Sequence, residues 1–171
     1  NLSLSAQTVT RYIDLLADLL LVRRLPPLHV NVGKRLVKSP KVYVRDSGLL
    51  HALLEIGDYN ELAGHPVVGS SWEGFVIENI LALAPERTEA SFYRTAAGAE
   101  MDLGLDMPKR GRWAIEIKRN PAAKLEKGFY MAREDLKPDK CFVVHSGEGK
   151  YPVAEGVEAL PLVELAQILV K

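Results

Sequence analysis

Apolar and polar positions follow two rhythms along the chain, and the change between them divides it. From Ser5 to Leu20, Val9, Ile13, Leu16 and Leu20 recur at helical spacing, which predicts a helix with these residues facing a core. Ser5 sits where an N-cap belongs, its hydroxyl able to accept from the first unpaired backbone amides. Leu21 to Leu25 turns β-prone before Pro26 and Pro27 stop the run. After a long basic connection, Lys41 to Arg45 alternates as a returning strand. Asp46, Ser47 and Gly48 then open a helix over Leu49 to about Ile56, with Ser47 as the N-cap candidate.

Beyond Gly69 the rhythm alternates between periods of 3.6 and two. Ser71 to Leu83 predicts a helix with Trp72, Val76, Ile80 and Leu83 on one face. Three strands follow, over Ser91 to Thr95, Glu100 to Leu105 and Trp113 to Lys118. Pro121 to Leu136 reads as a helix despite Gly128, and Lys140 to His145 as a buried strand. A short edge strand over Glu158 to Leu160 and a helix over Leu162 to Val170 close the chain. This αβββαβ order with a βα tail predicts a mixed α/β fold, a sheet flanked by helices. The expected division is residues 1–60, a small helix-and-strand module with its linker helix, and residues 61–171, the sheet domain.

Composition narrows the function classes. Of 171 residues, 47% are hydrophobic and 26% charged, enough for a full core. Lysine plus arginine equals aspartate plus glutamate at 22 each, so nucleic-acid contact must rest on local patches rather than global basicity. The single cysteine, Cys141, excludes an internal disulfide framework and a cysteine zinc site, and fits a cytoplasmic location. The four histidines (His29, His51, His65 and His145) lack zinc-ligand spacing and read as packing or surface residues. The apolar run around Leu15 to Val22 is too short and too acidic for a membrane span. With no initiator methionine and no signal-peptide pattern, the chain is expected to be a piece of a longer protein.

The chemistry concentrates in "GAEMDLGLDMPKRGRWAIEIKRN", residues 98–120. Side chains two apart on a strand share a face. Glu100, Asp102, Gly104 and Asp106 therefore oppose Met101, Leu103 and Leu105, while Ala114, Glu116 and Lys118 share a side of the next strand. Pairing through the 107–112 turn brings Asp102 and Glu116 together. Two carboxylates on adjacent strands suit one hard divalent cation, Mg²⁺ above all. Lys118 beside them could orient water or neutralise charge on a phosphate. Glu100 reads as a supporting residue, and Tyr93 and Arg94 as structural.

These residues resemble the PD-(D/E)XK nuclease superfamily, whose αβββαβ core carries an acid on its second strand and Glu-x-Lys on its third. The resemblance implies that Asp102, Glu116 and Lys118 are catalytic and that Asp102, Glu116 and a helix acid hold the metal. Glu73 fits the helix position best, with Glu78 as second choice. The first 45 residues resemble a winged helix-turn-helix that lacks its first helices, with Gln7, Thr8, Thr10 and Arg11 facing nucleic acid and Lys34, Arg35, Lys38 and Lys41 in the wing. The phrases "SPKVYVRDSGLLHALL", "HPVVGSSWEGFVIENI", "FYRTAAGAEMDLGLD" and "AIEIK" together resemble the C-terminal part of a prokaryotic family with an upstream AAA-type P-loop ATPase. No G-x-x-x-x-G-K-[ST] occurs, so this chain itself is expected to bind no ATP. The expected activity is nucleic-acid-directed, Mg²⁺-dependent phosphodiester cleavage. The alternative is a non-catalytic domain that keeps the fold and docks the ATPase to DNA or protein, and oligomerisation is a third option.

Overall fold

The structure, a computed structural model, describes residues 3–28, 33, 35–122 and 124–171. Helix α1 spans Ala6–Asp18, and Ser5 caps it by accepting from the Thr8 amide at 3.1 Å. None of its residues is buried: Val9 and Leu16 are 42% and 38% exposed, and Leu20, just past its end, 68%, so the expected core-facing stripe lies outside the core. The cause is the antiparallel ribbon that follows, β1 (Val22–Leu25) and β2 (Lys41–Val44). It turns Leu25 and Tyr43 into the main core and leaves α1 on the outer side. Helix α2 spans Ser47–Leu53, capped by Asp46 rather than Ser47, because the Asp46 carboxylate accepts from the Leu49 amide at 2.9 Å. It ends short of Ile56, where Glu55 takes a left-handed φ of 57°. A short helix α3 (Tyr59–Gly64), which periodicity did not reveal, is capped by Asp58.

Helix α4 spans Val68–Leu83 and is apolar nearly all round, as befits a helix covered by several neighbours. Its buried positions are Ser71, Gly74, Val76, Ile77 and Ile80, whereas Trp72 is half-buried and Leu83 exposed. The remaining elements are β3 (Glu89–Arg94), β4 (Glu100–Met107), β5 (Gly111–Ile117), α5 (Lys127–Leu136), β6 (Lys140–His145), β7 (Tyr151–Ala154), β8 (Val157–Pro161) and α6 (Leu162–Leu169). Among the described residues this makes a mixed α/β fold with six helices and a six-stranded sheet ordered β3-β4-β5-β6-β8-β7. The first three strands are antiparallel, β5, β6 and β8 parallel, and β7 folds back on β8. The segment expected at the sheet edge, Glu158 to Leu160, is therefore an inner strand with Ala159 and Leu160 fully buried, and β7 forms that edge.

Helices cover both faces. Leu103, Leu105, Trp113, Ile115, Phe142, Val144 and Leu160 pack with α4 and α6 on one face. Ala114, Cys141, Val143, Val157 and Ala159 pack with Phe129, Ala132 and Leu136 of α5 on the other. Burial on both faces explains why β6 reads as a continuous apolar run. Helix α5 begins six residues later than Pro121, and the glycine that weakened its reading has a use. A Cβ on Gly128 would lie 2.9 Å from the Glu100 amide nitrogen and 3.1 Å from the Ala99 Cα, so only glycine lets α5 approach the start of β4 this closely. At the outer edge of β3, Pro27 bridges Phe92 and Leu36 bridges Thr95. Those bonds cover an edge that would otherwise present unpaired backbone groups.

A carboxylate cluster where two strands part

The candidate site forms where β4 and β5 separate. Their pairing runs from Met107 opposite Gly111 to Leu103 opposite Ile115. The next free amide on β5, that of Ile117, donates to Asp102 Oδ2 at 2.9 Å, so a side chain replaces a ladder carbonyl. Against β3 the register shifts: Ser91 pairs with Gly104 but Tyr93 with Met101, which places one extra residue in β4. This bulge breaks the strict alternation expected for residues 100–106. Met101 packs toward α5, while Leu103 and Leu105 pack toward α4 and α6. A bulge re-aims the side chains beside it. Here it turns Asp102 toward both Glu73 on α4 and the end of β5.

Strand β2 supplies the other half. Lys41, Tyr43 and Arg45 lie two apart and all face α4. Lys41 Nζ lies 2.7 Å from Glu73 Oε1, 2.7 Å from Glu100 Oε1 and 3.4 Å from Asp102 Oδ1. The Tyr43 hydroxyl donates to the same Glu73 Oε1 at 2.5 Å. Its ring rests on Gly74, where a Cβ would come within 3.2 Å. Arg45 and Arg23 both bind Glu78, Arg45 at 2.8 Å. The two glutamates thus separate: Glu78 clamps the ribbon to α4, and Glu73 faces the cluster. Lys41 and Tyr43 were not anticipated in this role. The signal available was the period-two "KVYVR", which puts the lysine and tyrosine on one face but does not say what that face meets.

Just past the end of β5, Lys118 Nζ lies 2.9 Å from Glu116 Oε1 and 3.5 Å from Glu126 Oε1. Glu116 is only 6% exposed, and its Oε2 is buried with no hydrogen-bond partner. Burial and the nearby Asp102 charge push the Glu116 carboxyl up to about 7, against the pull of Lys118. Burial and Glu73 likewise push Asp102 up to about 6, although Lys41, the Ile117 amide and Lys118 oppose the rise. Burial disfavours the Lys41 ammonium, but Asp102, Glu73 and Glu100 outweigh it and hold the lysine above its ordinary range. Burial and Glu73 raise the Tyr43 hydroxyl. The structure therefore brings Glu73, Asp102, Glu116 and Lys118 into one cluster, with Glu100 and Lys41 beside them. Trp72 pins this corner to α4 by donating from Nε1 to the Lys118 carbonyl at 3.2 Å. A cavity of about 490 Å³ adjoins it, lined by His51, Tyr59, Trp72, Phe75, Arg119 and Asn120 among others.

The remaining expected contacts lie elsewhere. Gln7 and Arg11 are exposed on α1, and Thr8 is half-buried with its hydroxyl 2.9 Å from that of Ser5. Arg35 is exposed, yet its carbonyl accepts from the Ala96 amide at 2.8 Å, which fixes the connection to the end of β3. Lys34 and His29 lie outside the described residues. Tyr93 is fully buried with its hydroxyl on Asp135, in keeping with a structural role. His145 is buried and accepts from the Gly147 amide through Nδ1. No helix among the described residues is long and apolar enough to cross a membrane.

Comparison with known proteins gives relatives without assigned activities. Over 162 residues the chain is 40% identical to uncharacterized protein Rv2008c of Mycobacterium tuberculosis and to uncharacterized protein Mb2031c of Mycobacterium bovis. That alignment covers 94% of this chain and 36% of each relative, so the chain spans about a third of their length. No solved structure matches it. Residues 1–60 match a family described as Domain of unknown function DUF8612. Residues 68–165, more than half of the chain and all of the carboxylate cluster except Lys41, match a second family, and the chain belongs to it: Domain of unknown function DUF4143.

Proposed function

We propose that this domain is a PD-(D/E)XK-like phosphodiesterase module that acts on nucleic acid, works with a divalent cation, and serves as the effector of an AAA-type ATPase. The observation that carries the reading is the buried pair Asp102 and Glu116 at the parting of β4 and β5, with Lys118 on Glu116 and Glu73 across from Asp102. Two carboxyls with raised proton affinity and a buried, unpartnered Glu116 Oε2 form an oxygen-donor set short of positive charge, which fits a hard cation such as Mg²⁺. Asp102, Glu116 and Glu73 would hold it. When bound, such an ion supplies Lewis acidity toward a phosphoryl oxygen and a more acidic water. Lys118, steered by Glu116 Oε1, places a compact point charge beside the same position: its ammonium would donate to the attacking water and offset charge growing on the phosphate. Exposed Gln7 and Arg11, with Arg35 and Lys34, supply backbone contacts in the winged-helix-like module. The aromatic and basic lining of the adjoining cavity suits an unstacked base.

One observation favours a second reading, a binding domain that keeps the fold without cutting: the cation already among Glu73, Glu100 and Asp102 is the Lys41 ammonium. Incubating supercoiled plasmid with the protein in millimolar Mn²⁺ separates the two. Cleavage that disappears in Asp102→Ala supports the phosphodiesterase. Cleavage unaffected by that substitution removes this site from the reaction, and DNA binding without cleavage favours the second reading.

A further inference from the structure

Lys41 and the carboxylates it meets come from different parts of the chain. Lys41 opens β2, within the stretch matched by the first family, while Glu73, Glu100 and Asp102 lie within the second. Its three ammonium protons face three carboxylates, two at 2.7 Å and one at 3.4 Å, and its charge lies 5.4 Å from the Phe92 ring centroid. With 17% of its side chain exposed, the lysine is seated in the cluster rather than solvated above it. Glu73 Oε1 is saturated there, because it takes both Lys41 and the Tyr43 hydroxyl. The other half of the cluster differs: Glu116 keeps a buried oxygen with no donor. An ammonium and a divalent ion do not share Glu73 Oε1 and Asp102 Oδ1, since both need the same lone pairs and the two cations repel each other at contact range.

We propose that Lys41 is a tethered counter-cation that closes the Glu73 half of the site, so that a divalent ion reaches Glu73 only when the lysine side chain swings out. The inference rests on the carboxylates being a cation site and says how that site is kept from loading. Lys41 follows directly on the 26–40 connection, and its four-carbon stem can leave without moving Tyr43 from the core. The N-terminal ribbon thereby couples its own position to metal loading: whatever draws Lys41 outward, a nucleic-acid phosphate being the simplest anion to do so, frees Glu73 and Asp102 together.

The test is Mn²⁺ binding to the whole chain by isothermal titration calorimetry near neutral pH. Lys41→Met should bind at least about tenfold more tightly than the wild type. Glu73→Gln should cancel that gain in the double variant while changing wild-type affinity by less than about threefold, the signature of two coupled neighbours. Equal or weaker binding by Lys41→Met, or a gain that survives Glu73→Gln, overturns the inference and leaves the cation site standing. If neither wild type nor Lys41→Met binds Mn²⁺, the cation-site reading itself falls and the inference with it. Should Lys41→Met fold poorly, Lys41→Met/Glu100→Gln removes one uncompensated charge and is subject to the same comparison.

Discussion

Glu73 and Glu78 stand five residues apart on α4, and both meet cations from the same two-stranded ribbon, yet their surroundings differ in kind. Glu78 faces Arg23 and Arg45, two guanidinium groups that, despite burial, hold its carboxyl below the usual range. Glu73 shares one lysine with Glu100 and Asp102, and the neighbouring Asp102 and Glu116 are pushed up instead. One end of the ribbon is charge-balanced and holds the fold. The other gathers like charges, an arrangement that costs stability and is the usual mark of a functional site. Two chemically identical residues on one helix are thus told apart by the partners each one meets.

The widest separation should appear in activity. If cleavage is observed, Asp102→Ala should lower its rate by about a hundredfold or more, as expected when a charge-stabilising group is removed, whereas Glu78→Gln should leave it within about threefold. Equal losses in plasmid nicking would erase the distinction. Next in size is a pH effect on stability. A carboxyl whose folded pKa lies above its unfolded value stabilises the fold while protonated. That contribution is complete below about pH 4 and disappears as pH climbs through the folded value. For Glu116, raised to about 7, the whole effect is on the order of 3 kcal/mol. Glu116→Gln should therefore stabilise the protein at pH 8 by roughly that amount and little at pH 4, as read from urea unfolding. A destabilisation at pH 8 would show that Glu116 is held by partners rather than strained.

How much of this was legible in the sequence follows from the range of each interaction. The αβββαβ order and the identities of Asp102, Glu116 and Lys118 came from periodicity, which is local. The bulge at Asp102 was not legible, because an inserted residue changes facing without changing composition, and "EMDLGLD" alternates perfectly on paper. The sequence places Lys41 in the wing, because its partner Asp102 is 61 residues away in sequence. The sequence already prefers Glu73 over Glu78, but the pairing of Glu78 with Arg23 and Arg45 is not legible in it. β7 and α3 escaped notice because four to six residues carry too little periodicity, and Gly128 counted against a helix whose packing requires it.

Smaller effects sharpen the contrast further. Glu78→Gln should destabilise by about 2 kcal/mol, since it breaks charged hydrogen bonds to two partly buried arginines. With its carboxyl depressed, that stability is present above the ordinary glutamate range and lost only in acid, so the cost should be flat between pH 6 and 9. A cost that varies across that window would mean Glu78 belongs to the titrating cluster. Smallest of all, Tyr43→Phe should cost about 1 kcal/mol through the lost bond to Glu73, with the ring still seated on Gly74. Differential scanning calorimetry would resolve it, and no change would mean that Lys41 alone holds Glu73.

The two family matches part between residues 60 and 68, as though inheritance could cut there. Mechanically the seam lies elsewhere. Leu25 and Tyr43 belong to the same apolar interior as α4 and α6, and Pro27 and Leu36 lie against the outer edge of β3. Severing the chain at the inherited boundary would leave two sockets in that interior and a bare strand margin open to pairing with other molecules. The lineage is modular; the material is not. A domain shuffled at that seam travels well only with its ribbon attached.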